Sequence, residues 1–267
     1  MAHSLSTMPR TKYPWRIFWV LLFASIAGMI GVLPYIFSLF GKLLDLDNLT
    51  MPLPVFAAVQ VMHSSIAFGM VIVLGLLLAP KVGIELPLLG EWLYHKRGPS
   101  AGSIGVPMLV GLGVGAVSVL LLFLVFLPRI PGWPSEAALP IWKRFLACFY
   151  GGINEELLMR LCLFGVVLWL LQKVARRQAR ASTALFWVGN IIVALLFGAA
   201  YLPAAAKIIE LTPIAIFAIM FLKGAAGLVF GYLCWVRGLE AAMLAHFAAD
   251  FVLHIIAPLF FDVPVTS

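Results

Sequence analysis

The chain has 267 residues, 63% of them hydrophobic and 11% charged. A soluble fold of this length cannot bury that much apolar surface, so the composition excludes an ordinary soluble enzyme and indicates a polytopic membrane protein. The formal net charge of +7 needs no nucleic acid to explain it, because most Lys and Arg fall between apolar segments, where they set topology and meet anionic lipid.

Seven apolar segments follow one another near 15–40, 55–80, 104–127, 141–172, 183–203, 213–236 and 240–261. Each is long enough to cross a bilayer as a helix. The fold class expected is therefore an all-α polytopic membrane protein, a bundle of about seven transmembrane helices with a polar site buried between the C-terminal ones. Residues 1–140 supply about three N-terminal spans and 141–267 the core that carries the polar motifs. The first apolar run exceeds the core of a signal peptide and reads as a retained span. Pro34 and Pro54 either kink the first two spans or mark an end. The stretch 81–103 is the longest polar connection. The glycines of "GSIGVPMLVGLGVGAVS", with Gly227 and Gly231, read as notches for close helix packing rather than as a phosphate loop. Cys148, Cys162 and Cys234 lie in apolar segments and read as packing residues.

The loops set the orientation. Eleven Lys and Arg fall on the face that holds the N-terminus, against five on the other, with the densest cluster in "QKVARRQAR". The excess places the N-terminus in the cytoplasm and, with an odd number of spans, the C-terminus outside.

Charged groups inside a span cost a few kcal/mol even on lenient scales, so they face the bundle interior and usually have a use. "GGINEELLMR" holds Glu155, Glu156 and Arg160 in the fourth apolar segment, where Gly151 and Gly152 are the expected break. Glu156 and Arg160 are one turn apart and share a helix face, whereas Glu155 is rotated by roughly 100°. The spacing predicts Glu156–Arg160 as a structural ion pair and Glu155 as a freer carboxylate, a candidate general base. A buried ion-pair network that only orients helices fits the local pattern equally well. In "MLAHFAADFVLH", His246 and Asp250 share a face of the last span, so Asp250 could fix the imidazole tautomer.

EExxxR followed by HxxxD, at the end of a run such as "GAAGLVFGYLCWVRGLEAAMLAHFAAD", resembles the CPBP family of CAAX prenyl endopeptidases and Abi-type intramembrane proteases. The resemblance covers about residues 141–257. It implies an integral protein, expected in a bacterial inner membrane, that hydrolyses a peptide bond with a glutamate-activated water. On the matching positions Glu155 would activate the water, Glu156 and Arg160 would support it, and His246 with Asp250 would hold the oxyanion. An ionised Asp cannot donate to an oxyanion, so Asp250 is expected to orient His246.

The family's FxxxH motif falls on "LLFGAAYLPAA", where Phe197 matches and Tyr201 stands in place of the histidine. A tyrosine hydroxyl keeps its proton near neutral pH and cannot act as a base. Losing a partner for the water costs ~10²–10⁴-fold in rate. The spans also put His246 near the cytoplasmic end of its helix and Tyr201 near the outer end. Their meeting Glu155 in mid-membrane therefore demands shifted boundaries or broken, tilted helices. Three readings remain: an active endopeptidase, a catalytically impaired binding or assembly subunit, and a proton-relay transporter, the weakest because no repeat of the halves is evident. No cofactor is expected, with zinc a secondary candidate on Glu155, Glu156, His246 and Asp250. The partners expected are membrane lipid and a membrane-protein or peptide substrate or subunit, not nucleic acid.

The charge asymmetry is testable with reporters active only outside the cytoplasm. Fused after Arg180, such a reporter should be silent; fused at the C-terminus, it should be active. The opposite pattern would overturn the orientation.

Overall fold

The computed structural model describes residues 14–41, 49–96, 98–130, 139–176 and 182–260. Arg10, Lys12, Lys42, Arg97, Arg177 and Arg180, all used to orient the chain, lie outside the described residues. Among the described residues all regular structure is helical, and seven helices are long and apolar enough to cross a membrane. They are α1 (Trp15–Phe40), α2 (Leu53–Val82), α4 (Ala101–Arg129), α5 (Ile141–Val174), α6 (Thr183–Ala205), α7 (Pro213–Arg237) and α8 (Leu239–Phe260). A short helix of nine residues, α3 (Pro87–His95), lies inside the stretch expected to be a polar connection. Its nine residues are too few to register as a span, and Pro87 opens it.

Local signals explain where the helices begin. The side chains of Ser100, Ser182 and Thr212 accept from backbone N–H groups of Ser103, Leu185 and Ala215, at 3.2, 3.4 and 3.3 Å, and so cap α4, α6 and α7. Pro54 falls in the first turn of α2, where a missing N–H costs nothing, while Pro34 lies inside α1. Gly83, in the left-handed region at φ 84°, ends α2. Gly238, at φ 95°, makes the one-residue turn between α7 and α8. There Leu239 N–H donates to the Glu85 carbonyl at 2.9 Å, and Glu240 accepts from Leu89 N–H at 3.0 Å. Glu240 thereby caps α3 from the first turn of α8.

With little hydrophobic drive between helices in lipid, small residues decide which backbones approach. Gly111 and Gly115 of α4 face Ala245 and Ala249 of α8 so closely that a Cβ at Gly115 would lie 2.7 Å from the Ala249 carbonyl oxygen. Gly227 of α7 faces Ala194 of α6 at 3.4 Å, and Gly231 faces Asn190. These four are the packing notches expected, whereas Gly105 and Gly113 have nothing within 4 Å. On the outer surface Phe23, Met70 and Leu109 are exposed, as lipid-facing residues are. Cys148 and Cys234 are buried and Cys162 is half-buried, all as free thiols.

Arg144, one of the five Lys and Arg assigned to the outer face, is 3% exposed and donates to the His254 carbonyl at 3.0 Å. It belongs to the packing of α5 on α8. Removing it from the outer face leaves the direction of the charge asymmetry unchanged.

Gly111→Val should push α4 away from α8 and lower stability in detergent by ~1–3 kcal/mol, the usual cost of overpacking. Gly113→Val, on the open side of the same helix, should stay within ~0.5 kcal/mol. Thermal unfolding of the two purified variants checks the contrast.

Candidate functional site

The site grows from α5. Its 34 residues do not break at Gly151-Gly152, as expected from the sequence. They widen into π-helix over Tyr150–Glu155 and Leu157–Phe164. Such wide turns are uncommon and concentrate at functional positions. The two glycines serve instead as an approach surface. A Cβ at Gly151 would strike the Asp250 carboxylate and come within 3.3 Å of His246 Nε2, and one at Gly152 would lie 2.9 Å from Phe247 Cβ. Only glycine lets α8 lay its polar face on α5 at this level.

Asn154, fully buried, pins the same turn to α1 by donating to Ser25 Oγ at 2.8 Å and to the Ser25 carbonyl at 3.1 Å. The sequence reading passed over it. An amide inside an apolar segment beside two acids was its only signal.

All six candidate residues come together. Glu156 is fully buried and Arg160 is 1% exposed. Their nearest atoms, Glu156 Oε1 and Arg160 Nη1, are 3.2 Å apart, but Nη1 is not aligned for a hydrogen bond, so the attraction is mainly Coulombic. Arg160 Nη2 donates to the Gly227 carbonyl of α7 at 3.0 Å. The guanidinium also lies over the rings of Phe197 and Phe230, at 5.1 and 5.8 Å from their centroids. Phe197 thus walls the arginine.

His246 is buried between the acids. Its Nδ1 is 2.7 Å from Glu156 Oε1, and its ring stacks on Phe230 with centroids 4.8 Å apart. Nε2 is 3.6 Å from Asp250 Oδ2 and 3.7 Å from Glu155 Oε2. This corrects the expected role of Asp250. Glu156, not Asp250, makes the short bond that sets the ring, because Asp250 is held just beyond hydrogen-bond range. With Glu156 beside an arginine, Nδ1 is the donor, and a proton on Nε2 would face Asp250 and Glu155.

Glu155 is half-buried and has a different partner. The Tyr201 hydroxyl donates to both of its carboxylate oxygens, at 2.6 Å each. The two acids therefore have different partners, and Glu155 is engaged at both oxygens rather than free of contacts. The boundaries of the spans did not have to move for Tyr201, His246 and Glu155 to meet. The lengthened α5 presents its acids between α6 and α8, and the phenol reaches across to them.

One further side chain, unnoticed in the sequence reading, joins the group. Lys223 of α7 places its ammonium 4.0 Å from the Tyr201 ring centroid and 5.8 Å from that of Phe197. It was legible as the lone cation of an apolar span. An apolar chamber of about 270 Å³ borders Lys223, Tyr201, His246 and Asp250, with Leu222 and Leu253 among its walls. Among the described residues no three His, Cys, Asp or Glu side chains are grouped so as to hold a metal ion.

Fold and site together define a polytopic membrane protein with a buried glutamate–histidine centre. Residues 137–252 match the family described as Type II CAAX prenyl endopeptidase Rce1-like. Over these residues, less than half of its length, the chain is similar to that family. No curated protein and no solved structure matches the chain.

The different contacts of the two acids predict unequal stability losses in mutants. Arg160→Ala leaves Glu156 as an uncompensated buried charge and should cost ~3–5 kcal/mol of stability. Glu155→Gln, on a half-buried carboxylate held by one hydroxyl, should cost less than about 1.5 kcal/mol. Equal losses in thermal unfolding would overturn this division.

Proposed function

We propose that the chain is an intramembrane endopeptidase in which Glu155 activates the water that attacks a peptide bond. One observation carries this reading: Glu155 Oε2 and His246 Nε2 face each other at 3.7 Å. That is too far for a direct hydrogen bond and near enough for one water to touch both. Glu155 takes a proton from this water as its oxygen bonds to the carbonyl carbon. The tetrahedral intermediate collapses with cleavage of the C–N bond, and the proton passes from Glu155 to the leaving amine. His246, oriented by Glu156, presents Nε2 to the developing oxyanion, a role that requires a proton on that atom. Tyr201, turned from Glu155, offers a second donor.

Several features support the rest of the reading. The surplus of Lys and Arg on the N-terminal side supports an N-terminus in the cytoplasm, and a bacterial inner membrane is the location proposed. The apolar chamber beside the site supports a substrate that arrives from the membrane, such as a membrane protein or lipid-associated peptide.

A second reading rests on a different contact. Both oxygens of Glu155 are engaged by the Tyr201 hydroxyl, and a carboxylate so occupied has less freedom to take a proton from water. This favours a catalytically impaired member of the family that binds a partner in a membrane complex.

The readings part at Tyr201. On a panel of membrane peptides, an endopeptidase should cleave in a Glu155-dependent way, and Tyr201→His should raise the rate by ~10²-fold or more if a partner for the water is restored. If neither wild type nor Tyr201→His cleaves, and a co-purifying partner is lost when residues 196–204 are altered, the binding subunit is the correct reading.

A further inference from the structure

Lys223 calls for a physical account. A cation inside a span is costly, and such residues normally pair with an acid or with backbone carbonyls. Among the described residues Lys223 has no carboxylate within ion-pair distance and no hydrogen bond. What holds its half-buried ammonium is the face of Tyr201, 4.0 Å from the ring centroid, and more distantly that of Phe197. The attraction is that of a cation for a ring quadrupole, and it gains strength where water is scarce. The other end of the same phenol donates to both oxygens of Glu155. Ammonium, phenol and carboxylate therefore form one row across α7, α6 and α5.

We propose that Lys223 is a positioning residue that pins the Tyr201 ring, so that its hydroxyl caps Glu155. Where a histidine would combine a hydrogen-bond donor and a positive charge in one ring, this chain divides them: Tyr201 supplies the donor and Lys223 the charge. The pinning has a purpose because the ring packs on the core along one side and borders open space on another. Tyr201 and Lys223 both border the chamber of about 270 Å³, which leaves the phenol room to swing. A molecule occupying the chamber would contact this pair, and displacing the pair would uncover Glu155. This deepens the reading of Glu155 as the reactive group, for it names what controls access to that carboxylate.

The test is chemical labelling, which requires no proteolysis. The purified full chain in detergent is treated with dicyclohexylcarbodiimide, an apolar reagent for carboxyl groups, and modification of Glu155 and Glu156 is followed separately by peptide mass spectrometry. Lys223→Met should speed labelling of Glu155 by about 2- to 30-fold, the range that one cation–ring contact is worth. Tyr201→Phe, which removes the cap itself, should speed it at least as much. Lys223→Arg, which keeps the cation over the ring, should hold Glu155 near the wild-type rate. Glu156, held by Arg160 and His246, should label slowly and equally in all of them.

Three outcomes would overturn the proposal. One is faster Glu155 labelling in Tyr201→Phe but not in Lys223→Met. Another is failure of Lys223→Arg to restore protection. The third is a parallel rise at Glu155 and Glu156, which would mean that Lys223 only supports the fold. A chain that cleaves no peptide can still give the expected labelling pattern, so failure of the protease reading is distinguishable from failure of this one.

Discussion

The structure depends on how one buried carboxylate is neutralised. Glu156 has no exposed surface, and an ion at such a position persists only if charge and hydrogen bonds are supplied from within the protein. Its Oε1 atom receives both: Arg160 from its own helix and the Nδ1 of His246 from α8. Arg160 in turn needs partners for its remaining donors and its apolar faces. It finds the Gly227 carbonyl on α7 and the ring of Phe197 on α6. One carboxylate thereby fixes the relative positions of α5, α6, α7 and α8. The imidazole that faces Glu155 is oriented as a consequence.

That arrangement requires backbones to approach closely, and small residues permit it. Asp250 and His246 can lie against α5 because Gly151 has no side chain, and α8 can sit on α4 because Gly111 and Gly115 have none. In a bilayer the energy of such contacts comes from close packing and interhelical hydrogen bonds rather than from expelling water. The wide turns of α5 belong to the same solution. They interrupt the regular ladder where Glu155 and Arg160 must be aimed, and Asn154, bonded to Ser25, anchors the widened turn to α1.

Tyr201, at the position where the sequence resemblance led to the expectation of a histidine, fills the centre but gives it different electrostatics. A phenol fills the volume and donates to Glu155, but it carries no charge and takes up no proton near neutral pH. The positive charge near it comes from another helix, through Lys223 over the ring. Glu155 is thus the most mobile of the three acids in chemical terms. Glu156 is committed to Arg160 and His246 and Asp250 is confined against Gly151, whereas Glu155 is bound by one hydroxyl that borders a chamber.

The sequence by itself determined the seven spans, because the thickness of a bilayer imposes an apolar length that no loop of this chain imitates, and the helices fall within a few residues of where that length puts them. It also exposed Glu155, Glu156, Arg160, His246 and Asp250, since ionisable groups inside apolar runs are expensive and stand out. Spacing along one helix correctly joined Glu156 to Arg160. It misassigned the partner of His246, giving the imidazole to Asp250 on its own helix when Glu156 on α5 makes the short bond. It also read Gly151-Gly152 as a break, left α3 as a loop, counted the buried Arg144 as a loop charge and passed over Lys223. These were decided by tertiary structure for a common reason. A one-turn spacing settles which side chains share a helix face, but which face meets which neighbour depends on the rotation and depth of separate helices, and those are set by where small residues allow two backbones to touch.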